Sequence, residues 1–383
     1  MRIAMITADY LPDVGGIASH VVELSKALVG DGHDVRVWFW DPHDRETVST
    51  DTVPTERLYP QPYRLGPSVI RQSRGLAATL RAKIAQWRPE ILHVHTMAPL
   101  SLAMRWLGSS EDYRRIFTNH SSGYLNLVKT WPGRRRARFY CGAFDGLLAP
   151  SQQLLDESMI LGIPSDRCAY IANAVDPEKF APADRTVARA ELGLDPSRPV
   201  ILSTRRFAVK NGVRYLAEAL GLIRQAIPDV LCVFCGDACD EQEWHAVQAI
   251  VEGRKLSDCV RFEGAVPNDR IRRYLAACDV VVLPSLMEAT SISGLEAMSA
   301  ARPLVGTRVG GIPDLIVDGR TGVLVEPRDV VGLAEAIVRV LRDCDREAMG
   351  QAARHRVLEE FTWQRVAERT LEFYRGILDK RPK

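Results

Sequence analysis

The chain has 383 residues, 46% hydrophobic and 26% charged, with a formal net charge of +2. That is ordinary globular composition, long enough for two domains with separate cores. It excludes nucleic-acid binding through bulk positive charge, and no run of about 18 apolar residues is present to cross a bilayer.

Residues 2–6 read as a strand, followed by a loop carrying Gly15 and Gly16. This start lacks the apolar core and cleavage site of a signal peptide, so a cytoplasmic protein is expected. A helix is expected over 17–29, with Val21, Val22, Leu24, Ala27 and Leu28 apolar and Gly30 and Gly32 ending it. Strands follow at 35–40, 91–95, 116–118 and 146–149. After a Pro- and charge-rich bridge at 176–184 the pattern restarts with strand 200–204 and helix 213–227. Strands 230–235 and 260–263, helix 269–277, strand 279–284 and elements near 304–306 and 323–325 complete it. The closing helix, 363–378, is amphipathic through Val366, Leu371, Phe373, Tyr374 and Ile377.

Such strand–helix alternation predicts an α/β fold with two Rossmann-like, doubly wound domains facing each other across a cleft. The expected domains are 1–182, rejoined by the closing segment 363–383, and 183–362.

The eight cysteines give no metal pattern. Cys232 and Cys235 lie three apart on a strand, hence on opposite faces, and no second C-x-x-C or histidine pair joins them and Cys239. Asp343-Cys344-Asp345 falls in a polar, helical stretch and reads as a solvated surface. No metal site and no cofactor are expected.

The most informative local feature is a pair of acids, Glu288 and Glu296, with seven residues between them. The apolar run 279–283 precedes them and a helical pattern begins near Ser293. One carboxylate therefore lies in a loop at a strand's C-terminal end and the other near the first turn of a helix. A helix N-terminus attracts a diphosphate, and a nearby carboxylate accepts hydrogen bonds from sugar or ribose hydroxyls. Ser291 and Ser293 would cap the helix or add hydroxyl donors. An ordinary capping pair is the bland alternative. The absence of G-x-G-x-x-G argues against a nicotinamide-dependent dehydrogenase.

In their order, these features resemble the retaining glycosyltransferases of family 4 (group 1), with the GT-B architecture, over essentially the whole chain. The resemblance is carried by Gly15-Gly16, by Ile91-Leu92-His93-Val94-His95 and by Asn119-His120. It continues through Tyr170-Ile171-Ala172-Asn173-Ala174-Val175-Asp176, residues Arg206 to Gly212, Gly236-Asp237, the glutamate pair and Gly310-Gly311-Ile312-Pro313-Asp314. It implies sugar transfer from a nucleotide diphosphate sugar, with UDP the expected base, to an acceptor hydroxyl, without a metal.

The resemblance also implies residue roles. Glu296 reads the ribose, and Glu288 lies beside the donor sugar. Arg206 and Lys210 neutralise the diphosphate as the leaving group gains charge. Thr290, Ser291, Ile292 and Ser293 complete the donor site. Gly15 and Gly16 allow close approach of donor or acceptor, and Asn119 and His120 serve the acceptor, His120 close to the reacting sugar. His93 and His95 read as mostly structural. The chain departs from the family pattern at three places. Arg205 replaces a glycine, Asn211 stands where lysine is usual, and Thr290-Ser291-Ile292 replaces Phe-Gly-Leu.

Basic stretches fall at Arg57, Arg64, Arg71, Arg74, Arg81, Lys83 and Arg88, and at 129–138 around Trp131. They suit an anionic membrane surface, hence peripheral attachment on the inner face of the plasma membrane. A solvated arginine-rich surface or an anionic acceptor would carry the same residues. The expected acceptor is a cell-envelope glycolipid or glycan. Alternatives are a small-molecule or natural-product acceptor, a sugar-nucleotide 2-epimerase of the same architecture, and a catalytically dead nucleotide-sugar binder.

Overall fold

The computed structural model describes residues 1–11, 15–40, 52–58, 68–97, 99–161 and 163–380. Arg64 of the first basic stretch lies outside them. The chain divides into two compact units, Met1–Asn173 with Trp363–Lys383, and Ala174–Thr362.

In the first unit the chain runs β1 (Arg2–Thr7), α1 (Gly16–Gly30), β2 (Asp34–Phe39), β3 (Thr55–Arg57), α2 (Ser68–Trp87), β4 (Ile91–Val94) and α3 (Leu100–Leu107). It continues through β5 (Arg114–Thr118), α4 (Ser122–Leu127), α5 (Trp131–Cys141), β6 (Gly146–Ala149), α6 (Gln152–Ile160) and β7 (Cys168–Tyr170). The second unit holds α7 (Arg185–Glu191), β8 (Val200–Ser203), α8 (Val213–Ala226), β9 (Leu231–Cys235), α9 (Glu241–Gly253), β10 (Val260–Gly264), α10 (Asn268–Ala277) and β11 (Val280–Leu283). It ends with α11 (Ile292–Ser299), β12 (Leu304–Thr307), α12 (Ile312–Leu315), β13 (Gly322–Val325), α13 (Val330–Arg342) and α14 (Arg346–Glu360). The closing helix α15 (Trp363–Leu378) groups with the first unit.

Both sheets are parallel and doubly wound. The first is ordered β3-β2-β1-β4-β5-β6-β7 and the second β10-β9-β8-β11-β12-β13. Their inner strands are buried on both faces, which is why they read as apolar runs rather than alternating ones. Cys232 and Cys235 are buried in β9, and burial pushes both thiols up, so they are packing residues.

The contact boundary falls after Asn173, not at 182. The bridge is not a free linker: the Val175 amide donates to the Phe361 carbonyl at 2.9 Å, and Arg354 donates to the Pro177 carbonyl at 3.2 Å. Composition marks the bridge as polar, but only tertiary pairing assigns it to the second unit. The closing helix is tied into the first unit by Tyr374, whose hydroxyl meets His93 Nδ1 at 2.6 Å.

Candidate active site

Each sheet reverses its strand order once, between β1 and β4 in the first unit and between β8 and β11 in the second. Connections leave such neighbouring strands toward opposite faces, opening a hollow at their C-terminal ends where ligands bind. The residues singled out from the sequence collect at these two places.

In the second unit, Arg205 and Arg206 follow β8, while Ser285 to Glu288 follow β11. The two loops are stitched backbone to backbone. The amides of Leu286 and Met287 both donate to the Lys210 carbonyl, at 2.8 and 3.1 Å. Gly212 has φ +64°, and a Cβ there would stand 1.9 Å from the Pro284 oxygen. Gly310 has φ +56°, and a Cβ there would stand 1.6 Å from the Glu288 oxygen. No side chain fits at either position, so these motif glycines are required by the fold of the site itself.

Arg206 and Lys210 are exposed, and among the described residues neither pairs with an acid. They are cations available to a ligand. Glu288 is held instead by Arg205, in an ion pair whose side chains are both 13% exposed. Ser291 caps α11: its hydroxyl accepts the Gly294 amide at 3.1 Å. Its oxygen is thus committed to the helix, and the first-turn amides of Ile292 and Ser293 are left without intrahelical acceptors. The Thr290 hydroxyl is buried with no partner.

Glu296 lies on α11 and is 9% exposed. Burial raises its pKa to about 7, opposed by the charge of Lys179. Among the described residues no side chain bonds its carboxylate. A buried carboxylate without a partner is a strong acceptor in waiting, since a hydroxyl ligand would relieve its desolvation.

In the first unit, Gly15 is extended (φ −149°) and precedes α1, where a Cβ would meet nothing within 4 Å. The fold of the unit therefore does not require glycine there. Close approach of a ligand remains the physical reason for it. Thr96 ties the ends of β1 and β4 together, accepting the Ala8 amide at 3.1 Å. Asn119 is fully buried: its Oδ1 accepts the Ser121 amide at 3.3 Å, and its Nδ2 has no partner.

His120 stands in a cluster of four histidines. Its Nε2 meets His95 Nδ1 at 3.1 Å, and its ring lies 4.6 Å from that of His20. His20 Nδ1 meets Asn173 Oδ1 at 2.7 Å, which puts the proton on Nδ1 and leaves Nε2 an acceptor. Burial holds all four imidazoles neutral: His20 falls to about 4, and His93, His95 and His120 lie well below their usual value. His93 is fully engaged by Thr118 at 2.6 Å and by Tyr374, so it is a packing residue.

His20, His95 and His120 bring ring nitrogens within 4.8 Å of one another, the spacing of a metal clamp. However, the His95 and His120 centroids are 5.4 Å apart and their facing nitrogens 3.1 Å. Nearly the whole separation therefore runs along the N···N line. The two lone-pair axes point at each other, as in a linear N–H···N hydrogen bond, and no single ion meets both at about 2 Å.

Two of these residues escape sequence reading. Arg205 looked like a loss from the motif, not a contributor. His20 sits four and eight residues before Leu24 and Leu28, on the buried stripe of α1. A titratable residue on an apolar stripe was the available signal.

Family models of known proteins match both units: "Glycosyltransferase Family 4" over residues 14–179 and "Glycosyl transferases group 1" over residues 198–343. The chain is 32% identical to the α-maltose-1-phosphate synthase of Mycolicibacterium smegmatis, with 98% of this chain and 100% of that one aligned. It is 28% identical to the N-acetyl-α-D-glucosaminyl L-malate synthase of Bacillus anthracis, over 96% and 95%. Among solved structures it resembles the sucrose-phosphate synthase of Thermosynechococcus elongatus, with TM-score 0.79 at 24% identity and 98% of each chain covered.

Proposed function

Because the chain belongs to the family 4, group 1 glycosyltransferases and has their GT-B fold, we propose that it is a retaining, metal-independent enzyme using a UDP-hexose donor. Glycosyl transfer from a nucleotide sugar is its class of activity. In the reaction proposed, the bond from the anomeric carbon to the diphosphate oxygen breaks and a bond to the acceptor oxygen forms on the same face. The acceptor hydroxyl gives its proton to the departing phosphate oxygen.

The observation that carries this reading is the composition of the second unit's switch point. Arg206 and Lys210 stand there without acid partners among the described residues, and the Lys210 backbone is bonded to the loop that leads into α11. Fixed cations and first-turn amides stabilise a leaving diphosphate as a metal would. Glu296 is the hydroxyl acceptor suited to the ribose. Glu288, already paired with Arg205, is suited to orient a sugar hydroxyl and not to attack the anomeric carbon, which favours the front-face route. In the first unit, His120, with Asn119 and the open approach at Gly15 and Gly16, serves the acceptor and the transferred sugar.

For the acceptor, a membrane-linked glycolipid or glycan is supported by helices α2, α3 and α5. They contain no Asp or Glu. Arg71, Arg74, Arg81, Arg105, Arg134, Arg135, Arg136 and Arg138 are exposed, none in an ion pair with a described residue. Exposed apolar side chains are interleaved with them, among them Trp106, Phe139 and Trp131. A second reading, an anionic small-molecule acceptor, is favoured by the L-malate in the name of the Bacillus anthracis relative.

A thermal-shift panel of UDP, GDP, ADP and dTDP, followed by hydrolysis of the corresponding glucose donors, tests the donor assignment. UDP should raise the melting temperature most, and Arg206→Ala should depress turnover. No shift with any of the four would overturn the site.

A further inference from the structure

We infer that Arg205 is a positioning residue of the donor site, whose guanidinium locks Glu288 and the capping serines of α11 into one network before a donor arrives. The inference rests on the donor-site reading above. Arg205 is the second residue after β8, yet its guanidinium reaches three separate segments. Nη2 donates to Glu288 Oε2 in the loop after β11, and to Asn211 Oδ1 at 2.9 Å. Nη1 donates to Ser293 Oγ, in the first turn of α11, at 3.3 Å.

A guanidinium can only donate, so Glu288, Asn211 and Ser293 all accept from Arg205. Ser293 Oγ lies 3.2 Å from Ser291 Oγ, a hydroxyl pair in which either can donate. Ser291 Oγ also accepts the Gly294 amide, which caps the helix. Asn211 accepts from Arg205 through Oδ1 and donates through Nδ2 to the Arg206 carbonyl at 2.8 Å. One half-buried fork thereby connects the Glu288 carboxylate, the first turn of α11 and, through Asn211, the backbone of Arg206.

The main chain behind these groups is packed against glycine backbone. A Cβ on Gly236 would stand 2.1 Å from the Arg205 oxygen, and one on Gly310 would stand 1.6 Å from that of Glu288. The guanidinium holds the Glu288 side chain against that backbone. Lysine would supply the charge but not the fork. Arg205 also cancels the charge of Glu288, leaving Arg206 and Lys210 for the diphosphate. Positions 205 and 211, two of the places where the sequence departs from its family pattern, are in direct contact, so the two departures form one structural change.

The test uses the full chain, UDP-glucose and ADP-glucose as donors, and release of nucleoside diphosphate as the readout, beside binding of UDP and ADP alone. Arg205→Ala and Arg205→Lys should each lower turnover about tenfold or more, while nucleoside diphosphate affinity moves by less than about threefold. Arg206→Ala should weaken that affinity instead. In the double variant Arg205→Ala/Glu288→Gln, turnover should fall to about that of the weaker single variant, not to the product of both losses. Where Arg205→Ala fails to fold, Arg205→Lys carries the comparison. Wild-type turnover in Arg205→Lys, or losses that multiply in the double variant, would overturn the clamp. Wild-type turnover in Glu288→Gln would instead overturn the donor-site reading beneath it.

Discussion

Burial holds the Glu296 carboxyl at a pKa of about 7, and that single shift ties stability to binding. A carboxyl that titrates higher in the folded than in the unfolded chain stabilises the fold below its ordinary pKa, and the benefit is lost as pH rises through about 7. The effect is bounded at about 3 kcal/mol. Glu296→Gln, a neutral isostere, should therefore melt with the wild type at pH 5 and above it at pH 8, by differential scanning calorimetry. Ribose hydroxyls prefer the ionised form, so wild-type nucleotide affinity should rise between pH 6 and 8. The Gln variant should bind weakly and lose that part of the slope. His20, held at about 4 by burial, has the opposite sign: its contribution is full above 6.5 and is lost as pH falls through about 4. Raw melting curves of the wild type thus mix two opposed trends, and the variant separates them.

At the level of elements, the site depends on loops that meet backbone to backbone. Gly310→Ala places a Cβ into the Glu288 carbonyl at a positive φ, so both terms are unfavourable. The cost should be at least about 2 kcal/mol, with turnover of a UDP-glucose donor lowered because Glu288 is displaced. Urea unfolding and release of UDP from UDP-glucose would check it. Behind the same strands, Arg189 is buried and donates to the carbonyls of Asp195, Pro196, Arg198 and Ala277 and to Asp279. Asp279 in turn accepts the Val200 amide at 2.7 Å, so the pair joins the starts of β8 and β11. Arg189→Ala should cost about 3–5 kcal/mol, since it empties a buried site and leaves four carbonyls without their donor, although Arg185 still pairs with Asp279. In the first unit, Tyr374→Phe removes a buried hydroxyl from His93. A loss of about 1–2 kcal/mol is expected in urea unfolding, without change in UDP affinity.

For the molecule as a whole, the net charge of +2 conceals a strongly uneven distribution. Among the described residues none of the eight exposed arginines of α2, α3 and α5 pairs with an acid, and arginine–ring contacts join α2 to α3 and α3 to α5. Arg74 lies 4.6 Å from the Trp106 ring, Arg105 lies 4.2 Å from Phe139, and Arg135 lies 4.9 Å from Trp131. No described helix is long and apolar enough to cross a membrane. If this face meets lipid, the chain should sediment with vesicles containing phosphatidylglycerol and not with phosphatidylcholine alone, and salt should release it. Arg134→Glu/Arg135→Glu should abolish sedimentation while leaving UDP affinity unchanged. Equal recovery in the supernatant with both vesicle types would remove the membrane-linked acceptor and leave the anionic small molecule.

The sequence by itself determined the strand–helix alternation and the restart near residue 200. It also determined that Glu288 lies in a loop after a strand and Glu296 on the helix that follows. These follow from local causes: apolar runs for strands buried on both faces, period-3.6 stripes for helices, and glycines where the backbone turns. Ser291 as a cap was within its reach for the same reason. Tertiary structure alone decided that residues 174–182 belong to the second unit and that His20 completes the histidine cluster. It also showed Arg205 to be a partner of Glu288 and Ser293, not a vacancy in a motif. Each of these depends on groups brought together from 83 to 186 positions apart in sequence. No periodicity within a window of one helix or strand records such a contact, because it is fixed by which strands lie side by side in the sheet.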